Sequence, residues 1–336
     1  MKKQSFKRSI KDSRREHKLT DQKSCAICSA FLYPEIKKTV LNKVSIEVKD
    51  EYSIGCFTAM ACPCEILIET QDEKLALKIT EIAYQEAKRI ENKFSRYSST
   101  NIIYKINNSN GNDITVDDET ALMLNFSQQC YELSNGKFDI TSGILRKAWQ
   151  FDGSDNIPTN ELIQSILPNI GWEKVSWIPP TLQLPQGMEI DLGGIGKEYA
   201  VDSSVKLIKN ITDISFLVNF GGDIASPFPR KNNVPWYIGI DNPEQTGESH
   251  VGEIHFYQGG LATSGDARRY LLKDGARYGH ILDPHSGYPV IHAPRSITVI
   301  ASSCVEAGML STFAMLEGSN ASNFLREQNV KYWCIP

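Results

Sequence analysis

"MEIDLGGIGKEYAVD", residues 188–202, reads as a short apolar strand that runs into three glycines, a lysine and the start of a helix. Glycines let a backbone come close to a ligand, and a helix N-terminus presents unpaired N–H groups to an anion, so the turn suits a phosphate. Two familiar phosphate motifs are excluded. A Walker loop requires glycine and a hydroxyl residue where Asp191 and Glu198 stand, and a dinucleotide fingerprint begun at Gly194 requires glycine where Tyr199 stands. A turn that merely joins strand to helix stays open on this stretch alone.

The neighbouring sequence alternates in the same way. Beyond the glycine turn the spacing predicts a helix through "VDSSVKLIKN", then a strand at "SFLVNFGGDIA". Strands follow at "PWYIGID", "GEIHFY", "RRYLLK", "ARYGHIL" and "RSITVIAS", a helix at "VEAGMLSTFAML", and a closing helix and strand at "ASNFLREQN" and "KYWCIP". Upstream, "YSIGCFTAM" and "PCEILIET" read as a hairpin. "DEKLALKITEIAYQEAKRIENKFSRY" carries Leu75, Ile79, Ile82, Ala83, Ala87 and Ile90 on one helical stripe. "DDETALMLNFSQQCYELS" is a second helix, "FDITSGILRKAWQF" a short one carrying Trp149, and "ELIQSILPNIGW" a third broken at Pro168. Runs of strands with interspersed helices predict an α+β fold with mixed, largely antiparallel sheets.

Composition bounds the function. The chain has 336 residues, 41% of them hydrophobic, and a net charge of −4, which gives no general reason to expect nucleic-acid binding. Residues 1–20 hold eight Lys or Arg against Asp12 and Glu16; together with the residues to 48 they read as a basic, disordered leader, with the folded domain at 52–336. No run approaches the ~18 apolar residues of a membrane span, and the leader lacks a secretory core, so the expectation is a cytoplasmic chain without a membrane anchor. Eight cysteines are too sparse for a disulfide scaffold. Cys25 and Cys28 have half the spacing of a zinc site, but Cys62 and Cys64 are too close together to complete it.

Four polar clusters lie at strand ends: Asp191 to Lys197, Asn219 to Asp223, Ala262 to Tyr270, and Arg277 to Pro289. Each alone is ordinary. Asp283-Pro284 makes a turn, and His280, placed within a strand, is by default a packed histidine. Their combination carries more. "DLGGIGKEYAVD", "VNFGGDI", "LATSGDARRY" and "GHILDPHSGYPV" occur in an order and spacing that resembles the ApbE family of flavin transferases (FAD:protein FMN transferases). "FTAMACPCEI", "RIENKFSRYSSTNIIYKIN" and "SNGKFDITSGILRKAW" extend the likeness upstream, to about residue 52.

The resemblance implies a T-fold-like architecture and a Mg²⁺-dependent enzyme that splits FAD. FMN passes to a Thr or Ser hydroxyl of a target flavoprotein through a phosphoester, and AMP is released. It implies His280 as the catalytic histidine, a base for the acceptor hydroxyl or a transient nucleophile. Met60, Asp191, Gly193, Gly194, Lys197, Gly221, Gly222, Asp223, Ser264, Gly265 and Asp283 would bind the cofactor, and the Gly196 carbonyl with Thr312 would bind the metal.

The sequence departs from the family pattern at two places in the folded domain, and its basic leader replaces the lipoprotein signal that many relatives carry. Relatives usually carry Ala-Asp-x-Leu-x-Thr at the start of the last large helix; here Gly308 replaces the aspartate, while Thr312 is kept. Glu198 replaces a common glycine after the lysine, which places a negative charge beside the expected phosphates. Glu306 should face away from Thr312, Asp266 or Asp283 could supply a carboxylate from another loop, and an aspartate restored at 308 should strengthen the metal site. The missing carboxylate also sets two alternatives beside transfer: a flavin-binding protein without turnover, and an FAD pyrophosphatase.

Overall fold

Residues 62–68 send Ile66 and Ile68 in one direction and Leu67 in the other, and all three are buried. Such a strand must be covered on both faces. The computed structural model, which describes residues 39–41, 43–243, 250–266 and 269–336, shows how. The chain forms β1 (Thr39–Leu41), β2 (Val44–Val48), β3 (Ser53–Ala59), β4 (Cys62–Ile68), α1 (Glu73–Phe94), α2 (Ile102–Asn107), β5 (Asp113–Thr115), α3 (Asp118–Leu133), α4 (Asn160–Ile166), β6 (Ser176–Ile178) and β7 (Thr181–Gln183). It continues through α5 (Gly196–Lys209), β8 (Phe216–Phe220), β9 (Asp223–Ser226), β10 (Trp236–Asp241), β11 (His250–Phe256) and β12 (Gly259–Gly265). The last elements are β13 (Tyr270–Lys273), β14 (Ala276–Gly279), β15 (Ser296–Ala301), α6 (Cys304–Leu316), α7 (Ala321–Glu327) and β16 (Lys331–Ile335).

Among the described residues, nine strands form one sheet in the order β1-β2-β3-β4-β8-β9-β12-β15-β16. Every ladder in it is antiparallel, as the α+β expectation required. One face carries Val44, Ile46, Phe57, Ile66, Ile68, Phe216, Val218 and Phe220 against α1, α5 and α6. On the other, Leu67, Leu217, Ile224 and Leu261 pack against Trp236, Ile238, Ile254 and Phe256 of the β10–β11 ribbon. Helix α1 forms where its stripe was read: Asp72 caps it by accepting from Lys74 N and Leu75 N, and Ala76, Ile79, Ala83, Ala87 and Ile90 have no exposure. It lies close to β3 because Gly55 has no side chain; a Cβ there would stand 1.8 Å from Thr80 Oγ1.

Several expectations change. "MEIDL" is not a strand: Ile190 is held by an amide side chain, its N–H donating to Asn107 Oδ1 (2.7 Å) and its carbonyl accepting from Asn107 Nδ2 (3.0 Å). The helix expected to carry Trp149 is a 3₁₀ helix, Ile140–Lys147, that ends before it; Trp149 instead donates to the Gly287 carbonyl. "LATSG" is a full strand, β12, and His280 stands one residue beyond β14. The break at Pro168 is a 3₁₀ turn, Leu167–Asn169. The Cys25–Cys28 pair and most of the expected leader lie outside the described residues.

The end of that leader belongs to the sheet. Strand β2 pairs with β3, and Val44 and Ile46 are 4% exposed in the core shared with α1. A chain shortened to begin at Tyr52 should therefore be less stable than one begun at residue 38, by roughly 3 kcal/mol for two buried aliphatic side chains. Urea unfolding of the two chains measures this; equal midpoints would show that β2 contributes nothing.

Candidate active site

The glycine turn is fixed before α5 begins. Asp191 pairs with Arg96 and accepts from Gly193 N at 2.9 Å, while its own N–H donates to the Ile140 carbonyl at 2.8 Å. Gly143 leaves the room: a Cβ on it would lie 2.4 Å from Asp191 Cβ. Asp191, expected as a cofactor contact, thus shapes the turn, and Arg96 is a site residue that no spacing argument singled out. At Gly194 the backbone lies against Phe138, whose ring meets Phe313 of α6 edge-on at 5.9 Å. Helices α1 to α4 and α6 each start with a side-chain cap, whereas α5 starts at Ile195 with none. The start is closed by backbone instead, the Ile195 and Gly196 N–H groups both donating to the Leu192 carbonyl at 3.0 and 2.8 Å, and it carries the partial positive charge of the helix dipole.

Lys197, in the first turn of α5, reaches β9, where its Nζ lies 2.6 Å from Asp223 Oδ2. Burial tends to lower the lysine pKa, but the Asp223 and Glu198 carboxylates outweigh it and raise the value. Asp223 is 4% exposed; burial raises its pKa against the pull of Lys197. The β8–β9 turn between them is made by Gly221 (φ +63°) and Gly222 (φ +101°). Asn219 steadies it by accepting from Gly222 N at 2.9 Å and donating to Glu65 at 3.2 Å. Gly221 also makes room for Cys62, since a Cβ there would stand 2.8 Å from Cys62 Cβ. The β3–β4 turn beside it holds Met60 and Ala61 at φ +52° and +57°, a left-handed pair that Asn-Gly would adopt more cheaply.

The opposite wall is α6. Asp202 of α5 caps it from outside, accepting from Cys304 N and Val305 N, each at 2.9 Å. One turn back along α5, Glu198 meets Gly308, one turn on along α6: a Cβ at 308 would lie 2.7 Å from Glu198 Cγ. The two helices therefore run antiparallel here. The glutamate turns to α6. Its Oε2 is shielded from solvent without a hydrogen-bond partner, and burial, with Asp223 adding to it, pushes its pKa up to about 8. On α6, Thr312 Oγ1 lies 3.1 Å from Ser264 Oγ, which is 2.8 Å from Ser311 Oγ. Ser264 and Gly265 of β12 thus come to the helix face that holds Gly308 and Thr312.

These contacts correct the expectations about a substitute carboxylate. Asp266 is clamped by Arg277 Nε (2.9 Å) and Arg295 Nε (2.8 Å). Asp283 serves its own turn, accepting from His285 N at 3.0 Å while its carbonyl accepts from Gly287 N at 2.8 Å. Glu306 does face away, binding Ser302 at the helix start. An aspartate restored at 308 would collide with Glu198 and would not simply add a ligand.

His280 lies one residue beyond β14, beside Phe151 and near the Arg269 and Asp266 charges. Its ring meets Phe151 edge-on, and its Nδ1 is shielded with no partner. Burial, then the Arg269 charge, hold its pKa down to about 4, so the imidazole is neutral at pH 7. A hydrogen bond with the Arg269 backbone works the other way and tends to raise it. One surface depression is lined by Asp213, Ile214, Phe228 and Lys231, and another by Asp202, Lys209, Ser226 and Ser302. Convergence of polar groups marks this site better than hollow volume does.

A sequence profile of the ApbE family matches residues 60–334. The FAD:protein FMN transferase of Vibrio cholerae is 28% identical over 246 residues, covering 71% of this chain and 73% of the relative. That of Escherichia coli K12 is 26% identical over 275 residues, covering 79% and 78%. The crystal structure of an ApbE protein from Thermotoga maritima superposes with a TM-score of 0.76 at 30% identity, covering 84% of this chain and 94% of the other. The flavin transferase ApbE of Vibrio cholerae shares the fold at a TM-score of 0.73 and 24% identity.

The Lys197–Asp223 pair yields a pH test. Lys197→Met leaves Asp223 buried without its cation, so its folded pKa climbs further above the unfolded value. The native variant then holds a proton that the unfolded chain releases, and stability falls as pH rises through that interval. The loss should be roughly 2 kcal/mol at pH 8, discounted for a lysine one-third exposed, and smaller at pH 5. Denaturant unfolding at both pH values decides; an equal loss at each would mean that the pair carries no net charge coupling.

Proposed function

The chain belongs to the ApbE family, and from that premise we propose that it transfers FMN from FAD to a Thr or Ser hydroxyl of a target protein and releases AMP. The observation that carries this reading is the glycine turn at the start of α5, which no side chain caps, with Lys197 in the first turn of that helix and the hydroxyl-bearing helix α6 packed beside it. An FAD diphosphate seated there would meet the positive end of α5 and Lys197, with the Thr312 and Ser264 hydroxyls on α6 and β12. Gly193, Gly194, Gly221 and Gly222 keep that approach free of side chains, and Met60 borders it from the β3–β4 turn.

In the reaction the acceptor hydroxyl oxygen bonds to the FMN phosphorus, the bond to the bridging oxygen breaks, and AMP leaves with that oxygen. His280 Nδ1 accepts the hydroxyl proton, for which a neutral imidazole is needed. Lys197 holds the phosphates in line, so that positioning and charge neutralisation supply most of the acceleration.

The reading includes a magnesium ion. Among the described residues no three His, Cys, Asp or Glu side chains form a cage, but magnesium needs only one or two carboxylates beside waters and substrate phosphates. The donors fit: Thr312 and Ser264 hydroxyls and a shielded, unpartnered carboxylate oxygen share one side of the cleft, and the Gly196 carbonyl, at the start of α5, joins them in this proposal. When bound, the ion would offset charge developing on the phosphates. No described helix is long and apolar enough to cross a membrane. A cytoplasmic setting belongs to the proposal as well; the free thiols of Cys56, Cys62, Cys64, Cys130, Cys304 and Cys334 suit a reducing compartment.

The reading predicts that protein, FAD, Mg²⁺ and an acceptor flavoprotein together give AMP and covalent flavin in equal amounts. Flavin bound without AMP would favour a binding protein, and AMP without covalent flavin a pyrophosphatase. His280→Ala should lower transfer by about 10²-fold or more and leave FAD affinity within a few-fold. Transfer at the wild-type rate in that variant would remove His280 from the chemistry.

A further inference from the structure

The two departures from the family pattern are one feature in space. A Cβ built on Gly308 would stand 2.7 Å from Glu198 Cγ and 2.9 Å from its Oε1, so the Glu198 carboxylate fills the volume that an acidic side chain at 308 would take. The Asp202 cap enforces this: it fixes Cys304 and Val305 against α5, and residues four positions away on each helix, 198 and 308, then face one another. Gly308 in turn lies one helical turn before Thr312, on the same face.

We propose that Glu198 supplies from α5 the anionic ligand that relatives carry on α6, and that with Thr312 it holds a divalent cation between the two helices. This rests on the reading that the cleft takes such a cation with FAD. Three observations support it. Glu198 Oε2 is shielded and unpartnered, and a buried carboxylate oxygen is costly to leave so. The groups that might have satisfied it are engaged elsewhere: Lys197 with Asp223 at 2.6 Å, and the first N–H groups of α6 with Asp202. The remaining donors on that face, the Thr312, Ser264 and Ser311 hydroxyls, are the hard oxygens that a magnesium-type ion accepts. Glycine at 308 is then required, because any side chain there would displace the glutamate.

Binding of Mn²⁺, a magnesium surrogate, to the full chain tests this by paramagnetic resonance or calorimetry, with and without FAD. Glu198→Gln should weaken Mn²⁺ binding at least tenfold while the metal-free protein melts within a few degrees of wild type. Glu198→Gly should lose binding, and the exchange Glu198→Gly with Gly308→Asp should recover most of it. Wild-type affinity in Glu198→Gln overturns the inference and leaves cation-dependent transfer standing. Absence of Mn²⁺ binding to wild type, with or without FAD, removes the inference together with the metal part of the proposed function. Should Glu198→Gln not fold, the Glu198→Gly pair decides: no recovery in the exchanged protein overturns the proposal.

Discussion

The packing of α5 on α6 depends on Asp202, whose two carboxylate oxygens each accept one N–H from the start of α6 at 2.9 Å. A helix beginning carries unsatisfied donors and partial positive charge, so an acid there is stabilising by roughly 0.5–2 kcal/mol. Here α6 has its own cap in Ser303 and receives a second from a neighbouring helix. This contact sets register as well as stability. It places the first turn of α5 level with the second turn of α6, which sets Glu198 against Gly308.

The sheet holds both helices at that distance. Strand β12 lies between β9 and β15; β9 carries Asp223, and β12 carries Ser264, which bonds Thr312. Gly260 on β12 is where α6 begins to pack, since a Cβ there would stand 2.0 Å from the Ser303 backbone. The candidate groups come from the first turn of α5, the interior of α6 and the ends of β9 and β12. Mobility is not needed to explain how the site is assembled.

Much of this was legible in the sequence because local pattern and tertiary demand agree. The apolar stripe of α1 and the β3–β4 hairpin occur where spacing places them; of the polar clusters expected at strand ends, Asn219–Asp223 spans the β8–β9 turn, whereas Asp191 follows no strand and Ala262–Gly265 lies within β12. The failures have physical reasons. "MEIDL" has the composition of a strand, yet a side-chain amide, Asn107, takes the hydrogen bonds a ladder would have made. The ribbon of β5, β7 and β6 went unseen because three-residue strands carry too few alternations to register. The sequence ruled out Glu306 correctly from helical rotation, but it treated Glu198 and Gly308 as separate oddities. They lie 110 positions apart, and only the antiparallel packing of α5 on α6 makes them neighbours.

A structure of the protein with FAD bound tests the central claim most directly. The account places the diphosphate at the start of α5, within hydrogen-bond reach of Lys197, with the flavin phosphorus open to His280 Nδ1. A diphosphate bound anywhere else, with the α5 start and Lys197 untouched, would contradict it.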